Sequence, residues 1–175
     1  MAKVGVIYIP QTKHVLACVT VSGELDPKTT VADLVDTGVP LRDPSGNGQV
    51  VMFPSANDAL KLVVADVTGD ALKEVLTAPA RMSIPDEKVP GETPGVAKLS
   101  AVTLPAASIK FTFTAPGKTL QVVLAHQRGA VASDNPASLI PDVVNPTDTS
   151  KTINVDYRVG DHIALFFEGF LPIVQ

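Results

Sequence analysis

Tryptophan is absent from this 175-residue chain, cysteine occurs once, and charged residues are scarce. The single cysteine, Cys18, excludes an intrachain disulfide. Charged side chains make up 18% of the chain, against roughly 25% in typical soluble domains, and its 14 basic residues form no cluster at either end. Because nucleic acids and anionic membrane surfaces are bound through clustered cations, we expect neither as a direct partner.

A long apolar run is also missing. The stretch "MAKVGVIYIPQTK" has one short apolar run before Pro10. A secretory signal needs a longer apolar core, and a membrane helix needs about 20 residues. We therefore expect no transmembrane segment and no cleaved signal peptide.

Motifs of catalysis and of metal binding are equally scarce. The sequence contains no G-x-S-x-G and no Walker-type glycine loop. Its three histidines, His14, His126 and His162, lie at least 36 positions apart, so the chain has no H-x-H metal-binding pair. Cys18 lies in the apolar stretch "VLACVTV", which is typical of a buried thiol rather than a reactive one. We expect no enzymatic activity, no cofactor, no metal and no catalytic residue.

One loop has a superficial likeness to a calcium site. In "DPSGNGQ" (43–49), Asp43, Ser45 and Asn47 occupy alternate positions, as the first ligands of a calcium loop do. Pro54 stands at the twelfth position, where such a loop needs glutamate. The stretch is therefore interpreted as a surface turn.

Alternation of apolar and polar residues is what the chain does contain. In "SIKFTFT" (108–114) the three apolar residues share one face, as a half-buried strand requires. The next residues, "APGK", place a Pro-Gly pair where it suits the centre of a type II turn. "TLQVVLAH" (119–126) then alternates again. The pattern predicts a β hairpin.

Similar patterns predict nine or ten strands, including 3–9, 13–22, 49–53, 59–67 and 95–104, and all prolines except Pro172 lie outside the predicted strands. We expect an all-β fold, an antiparallel β-sandwich or jelly-roll barrel with long loops, in a single domain over residues 1–175. The Pro-rich segment 78–94 is the best candidate for a domain boundary.

Helix is expected only in short turns. Near 29–36, Thr30 can cap a helical turn with Asp33 answering it. Residues 71–77 fit a strand, with a helix over 70–76 as the competing interpretation.

The stretch "YRVGDHIALFFEGF" (157–170) raises the question of a site. Gly160 and Asp161 suit a tight turn, and Ile163 begins an apolar alternation after it, so the pattern predicts a terminal hairpin. His162 and Glu168 share one face but stand about 20 Å apart on an extended strand. We therefore expect no local acid–base pair. A resemblance between the Gly-Asp stretches at 69–70 and 160–161 leaves internal duplication open.

The arrangement of eight or more antiparallel strands, with long loops and this C-terminal stretch, resembles the single jelly-roll subunits of viral coats. The resemblance implies a non-enzymatic structural protein of a virion, located in the virion if viral and otherwise in the cytoplasm. "MAKVGVIYIP" is not the basic arm with which many coat proteins touch genome, so such a protein would lie over a membrane or protein layer, or decorate a shell. No functional residue carries over.

Self-association is the function that composition favours, among copies of the chain or with other structural proteins of the same assembly. The predicted strands "VLACVTV", "TLQVVLA" and "IALFF" carry no charge, so their edges would be poorly guarded. The loops 78–94 and 127–150 add apolar residues that either cover the chain's own core or reach a neighbour: Met82, Ile84, Leu139, Ile140, Val143 and Val144.

The alternative is a β-sandwich module that binds a ligand or a carbohydrate. Such modules commonly stack aromatic rings on sugar faces, and here only Tyr8 and Tyr157 join the phenylalanines. An enzyme would need residues brought together from distant loops.

Overall fold

A computed structural model describes residues 2–35, 38–42, 50–55, 59–84, 90–92, 95–132 and 134–175. Its strands are β1 (Ala2–Tyr8), β2 (Val15–Thr20), β3 (Val39–Arg42), β4 (Val50–Phe53), β5 (Lys61–Val67), β6 (Met82–Ser83), β7 (Gly91–Glu92), β8 (Lys98–Leu99), β9 (Ala106–Thr112), β10 (Leu120–Gln127), β11 (Ser138–Val144), β12 (Ser150–Tyr157), β13 (His162–Phe167) and β14 (Ile173–Val174). Its helices are α1 (Val31–Leu34) and α2 (Gly69–Thr77), and a 3-10 turn spans Pro79–Arg81. The all-β prediction is confirmed, whereas the stretch 43–49 lies outside the described residues.

Both helices form where helix was considered. At α1 the Asp33 carboxylate accepts hydrogen bonds from the backbone N–H and the hydroxyl of Thr30, both at 2.7 Å, as the capping pattern predicted. At α2 the helical interpretation is confirmed over the strand. Ala71, Leu72 and Val75 face one side at helical spacing and pack against a sheet, so tertiary burial decided between the two.

The N-terminal sheet has the strand order β2–β1–β5, with antiparallel neighbours. Helix α2 and strand β6 cover one of its faces. The outer core between them consists of Val4, Val6, Tyr8, Val15, Ala65, Val67, Val75, Met82 and Ile84. The opposite face contributes Ile7 to a second core, here called the middle core, which also contains Val123 and Phe166 of the C-terminal half.

The C-terminal half forms a sandwich of two sheets. The central sheet has the order β11–β10–β13–β14, and the outer sheet has the order β12–β9–β8. The sandwich core between them includes Ile109, Phe111, Val122, Ile153 and Phe167. The first, second and fifth strands of this half share the outer sheet, and the third, fourth, sixth and seventh share the central sheet. Two sheets packed face to face agree with the predicted antiparallel β-sandwich.

The antiparallel pairing of β1 with β2 confirms a hairpin between the predicted strands 3–9 and 13–22. The hairpins predicted over 108–126 and at Gly160–Asp161 are wrong, because each connection crosses from one sheet to the other. Strand β9 pairs with β8 and β12, whereas β10 pairs with β11 and β13. The Gly160–Asp161 turn likewise joins β12 of the outer sheet to β13 of the central sheet. Gly69–Asp70, by contrast, begins α2, so the two Gly-Asp stretches have different structures.

The central sheet is buried on both faces. Val122, Leu124 and Phe167 belong to the sandwich core, while Val123 and Phe166 belong to the middle core on the other side. The middle core also takes residues from the N-terminal half: Ile7, Ile9, Leu16, Leu41, Val51 and Phe53. The uncharged runs in β10 and β13 are therefore interior strands, and their lack of charge is no sign of an unguarded edge.

The predicted loops are largely folded onto the chain's own cores. Met82, Ile84 and Val144 are buried, Leu139 and Ile140 pack partly against the cores, and Val143 is 41% exposed. Residues 138–144 form strand β11, which was predicted as loop. Strands β11 and β3, neither of which was predicted, each contain a proline. The predicted strand 95–104 is reduced to the two residues of β8.

Candidate functional site

Asp161 is the centre of the densest polar cluster among the described residues. Its carboxylate accepts hydrogen bonds from His126 Nε2 at 3.0 Å, from the Arg158 backbone N–H at 2.9 Å and from the Gly129 backbone N–H at 3.1 Å. The Arg128 guanidinium lies 3.1 Å from the same carboxylate. The turn between β12 and β13 is thereby tied to the end of β10.

Electrostatics keep this carboxylate ionised. Burial alone would raise the pKa of Asp161, because only 2% of its side chain is exposed. The hydrogen bonds from His126 and the two backbone N–H groups, with the charge of Arg128, outweigh burial and lower the pKa to about 2. Asp161 is thus a permanent acceptor at neutral pH rather than a group that exchanges protons.

A rim of exposed charges surrounds Asp161. Asp156 lies 3.1 Å from Arg128 and 2.7 Å from Arg158, and all three side chains are about half exposed. The two arginines and the two aspartates balance, so the cluster offers no excess charge to an ionic ligand.

The His126–Asp161 pair has no serine hydroxyl bonded to it among the described residues. Nε2 of His126 lies 3.0 Å from the Asp161 carboxylate, which leaves Nδ1 as the nitrogen that would have to serve a nucleophile. Ser138 lies directly opposite His126 on β11, yet no hydrogen bond joins their side chains. A Ser-His-Asp mechanism needs that contact, so the geometry supports a structural clasp.

His14 occupies a different place and has a structural role. It is fully buried, its Nε2 lies 2.6 Å from the Phe170 carbonyl oxygen, and its Nδ1 lies 3.0 Å from the Thr12 hydroxyl. The carbonyl can only accept, so Nε2–H donates and Nδ1 accepts. Burial lowers the pKa of His14 to about 4, although its hydrogen bonds act in the opposite direction. A neutral imidazole therefore joins the N-terminal turn to the C-terminal segment.

The residues that raised the question of a site stay apart. His162 is paired with Gln127, while His126 is paired with Ile163, so the side chains of His126 and His162 point to opposite faces of the central sheet. Glu168 accepts the Gln121 backbone N–H at 3.1 Å. No group of three His, Cys, Asp or Glu side chains suited to a metal ion occurs in the described ranges.

An open depression of about 340 Å³ lies beside Glu168. It is lined by Thr114, Ala115, Pro116, Lys118, Leu120, Glu168, Gly169 and Phe170. The Phe170 ring is held by stacking on Phe167 at 4.2 Å between ring centres. The lining combines an apolar floor with two oppositely charged side chains, a composition that suits a small ligand.

The outer edge of β5 is the most open sheet edge in the described structure. Its seven residues pair with β1 in a continuous register from Ala2–Val67 to Tyr8–Lys61, and no other described strand pairs with it. The strand contains no proline, and Val64 at its centre is 41% exposed. The regular register makes this edge a template for another strand, and the exposed charges of Lys61 and Asp66 limit its apolar part to the centre.

The other long edges are guarded. Strand β11 carries Pro141 and Asp142, and Asp142 pairs with Lys151 at 2.7 Å. Strand β12 has an irregular register between Asn154 and Tyr157. Strand β2 has a bulge beside Ile7, and the 3-10 turn, α2 and β3 lie against it. Bulges, charges and prolines are the devices that block edge pairing.

The sequence did not predict the Asp161 cluster or the edge position of β5. Asp161 was assigned to a tight turn, and the hydrogen bond from the Arg158 N–H lies within that turn. Its partner His126 is 35 positions away, so no local pattern indicated the contact. The stretch 59–67 was recognised as a strand, whereas its edge position depends on tertiary pairing.

Comparison with known proteins gives no further guide, since no family model, curated protein or solved structure matches this chain. Within the described ranges, no helix has the length and apolar character needed to span a membrane.

Proposed function

We propose that this chain is a non-enzymatic structural subunit that assembles with copies of itself. The observation that carries the proposal is the outer edge of β5, with which no other described strand pairs and at whose centre Val64 is exposed. Backbone N–H and C=O groups at such an edge gain hydrogen bonds when a second strand pairs with them, and apolar side chains beside them are removed from water.

The polar cluster supports the same proposal. The Asp161 carboxylate is shared among four donors of the chain itself, and no hydrogen bond joins the side chains of His126 and Ser138. These groups hold turns in place and leave nothing aimed at a substrate. The setting in a virus particle rests on the sequence resemblance to coat proteins.

Sedimentation equilibrium at tens of micromolar tests the proposal, with Val64→Lys as the variant. A lysine at the centre of an edge strand disfavours pairing, and the position is exposed enough to accept it. The matched control is Val159→Lys, which adds the same charge at a valine that is 82% exposed and lies outside the strands.

We expect the unmodified chain and the Val159→Lys control to form dimers or larger assemblies, and Val64→Lys to weaken association by roughly tenfold or more. A monomeric mass for the unmodified chain at all concentrations and salt conditions contradicts the proposal. Equal association of the two variants contradicts the role of β5.

The depression beside Glu168 favours a second candidate, a module that binds a small ligand or carbohydrate. Its support is that the fixed Phe170 ring, Lys118 and Glu168 line the same depression. A thermal-shift screen with simple sugars and amino acids tests it. Stabilisation that Phe170→Ala removes would favour this candidate, and the absence of any shift would count against it.

A further inference from the structure

We propose that the depression beside Glu168 binds a small zwitterion with an apolar side chain, a free amino acid of the size of phenylalanine. The Lys118 ammonium takes the carboxylate of the ligand, the Glu168 carboxylate takes its ammonium, and the Phe170 ring lies against its side chain. The inference goes beyond the proposed self-assembly. It rests on the second candidate function and commits that candidate to one class of ligand.

Backbone hydrogen bonds hold both walls of the depression in place. One wall is the turn between β9 and β10, where the Gly117 N–H donates to the Pro146 carbonyl oxygen at 2.9 Å. The other wall is the turn after β13, where the Gly169 carbonyl oxygen accepts the Gly95 N–H at 3.1 Å. A ligand therefore does not have to order either wall, and ordering is one of the main costs of binding.

The floor of the depression is apolar and equally fixed. The Phe170 ring stacks on Phe167 with 16° between the ring planes, and the Phe170 carbonyl oxygen accepts the Nε2–H of His14 at 2.6 Å. Leu120 lines the same floor and is 5% exposed. An apolar side chain that lies on this floor leaves water and contacts an aromatic surface, and both effects favour binding.

The two charges that line the depression do not neutralise each other. No ion pair joins Lys118 to Glu168, and the Lys118 ammonium has no partner among the described residues. Glu168 Oε2 accepts the Gln121 N–H at 3.1 Å, and a carboxylate with one such bond can accept further donors. A ligand with a single charge matches only one of the two groups, and a neutral sugar matches neither. A zwitterion matches both.

The size of the depression agrees with a single amino acid. Its volume of about 340 Å³ lies at the lower end of the range of roughly 300–1,000 Å³ for ligand pockets. An oligosaccharide or a nucleotide would extend beyond it. Because Lys118 is exposed, water screens its pairing with the ligand, and we expect a dissociation constant in the millimolar range.

Saturation-transfer difference NMR on the full chain tests the inference, because it detects weak ligands and works on single chains and on assemblies. The probes are L-phenylalanine, L-phenylalaninamide, which has only the ammonium, and N-acetyl-L-phenylalanine, which has only the carboxylate. We expect L-phenylalanine to bind more tightly than either derivative by a factor of about two to five, the contribution of one exposed ion pair.

Two charge-removing variants should give a crossed pattern. Lys118→Gln should weaken L-phenylalanine and N-acetyl-L-phenylalanine and leave L-phenylalaninamide unchanged. Glu168→Gln, which keeps an acceptor for the Gln121 N–H, should weaken L-phenylalanine and L-phenylalaninamide and leave N-acetyl-L-phenylalanine unchanged. The matched control is Lys110→Gln, at an exposed position of β9 outside the depression, and it should change none of the three affinities. Circular dichroism checks that each variant keeps its β spectrum.

The outcomes separate this inference from the proposed self-assembly. N-acetyl-L-phenylalanine binding as tightly as L-phenylalanine would identify a site for a carboxylate alone, such as the C-terminus of a peptide, and would overturn the zwitterion. Equal binding of L-phenylalaninamide overturns it as well. Lys118→Gln behaving like Lys110→Gln places any binding elsewhere, and no saturation transfer at tens of millimolar ligand overturns the site. A monomeric chain that gives the crossed pattern supports the inference and contradicts only self-assembly.

Discussion

Replacing Asp161 with asparagine should weaken the fold measurably, because it removes a charge on which four donors converge. The amide keeps the shape and can still accept one backbone N–H. The amide lacks the negative charge that attracts the Arg128 guanidinium. Its N–H₂ group is itself a donor, so it cannot accept the hydrogen bond that His126 donates to the carboxylate. A hydrogen bond to a charged group contributes about 1.5–3 kcal/mol, so we expect a loss of about 2–3 kcal/mol at pH 7.

The pH dependence gives a second estimate. The folded-state pKa of about 2 lies below the ordinary value near 4, so Asp161 stabilises the fold above pH 4 and loses that contribution as the pH falls toward 2. A difference of nearly two pKa units corresponds to about 2.5 kcal/mol at 1.36 kcal/mol per unit. Because the neighbouring arginines are exposed, water screens the carboxylate. We therefore expect the charge of Asp161 to contribute about 1–2 kcal/mol to the free energy of unfolding.

Urea unfolding followed by far-ultraviolet circular dichroism suits a chain without tryptophan. The matched control is Asp156→Asn, since Asp156 pairs with the same Arg128 but its side chain is 55% exposed, and this variant should lose much less stability than Asp161→Asn. The reasoning is refuted if Asp161→Asn costs no more than the control at pH 7. It is also refuted if the difference from the unmodified chain stays constant between pH 4 and pH 2.

Three further predictions concern other buried groups. Burial keeps His14 neutral in the folded chain, with a pKa of about 4, so the unfolded chain takes up a proton at this residue first as the pH falls. The free energy of unfolding should therefore drop by about 3 kcal/mol between pH 6.5 and pH 4. Urea unfolding at the two pH values checks this, and unchanged stability would contradict it. Gly95→Ala should destabilise by about 1–3 kcal/mol, since the added Cβ would lie 2.4 Å from the Gly169 carbonyl oxygen. Gly91→Ala, whose Cβ would meet no described atom within 4 Å, serves as its control in the same unfolding assay, and equal losses would refute the contact. Burial raises the pKa of Cys18 to about 12, so a thiol reagent at pH 8 should label the native chain at least about 100-fold more slowly than the urea-unfolded chain, and rapid native labelling would contradict the burial.

Local patterns were sufficient to assign the element type and the side-chain faces of β13 and the position of α1. Alternation placed Ile163, Leu165 and Phe167 on one face of β13, and all three lie in the sandwich core. The pairing of Thr30 with Asp33 located α1 in the same way. Both signals depend on residues within a few positions of each other, where backbone geometry fixes which side chains share a face.

Pairing between strands was predicted wrongly at the Pro116–Gly117 and Gly160–Asp161 turns. A tight turn followed by an alternating strand has the same local sequence whether the chain returns to its own sheet or crosses to the opposite one. The decisive fact is that β10 and β13 are apolar on both faces, with Val123 in the middle core and Val122 in the sandwich core. A strand covered on both sides has to lie between two layers.

The sequence by itself determined an all-β chain, the faces of its strands and the absence of a local catalytic motif. Tertiary structure alone decided which strands are interior, that β5 lies at the edge of its sheet among the described strands, and that His126 meets Asp161 across 35 positions. The physical reason is the sequence distance over which each interaction acts. Backbone sterics and alternation act between near neighbours, whereas burial of a strand edge or a carboxylate depends on which distant segments fold against it.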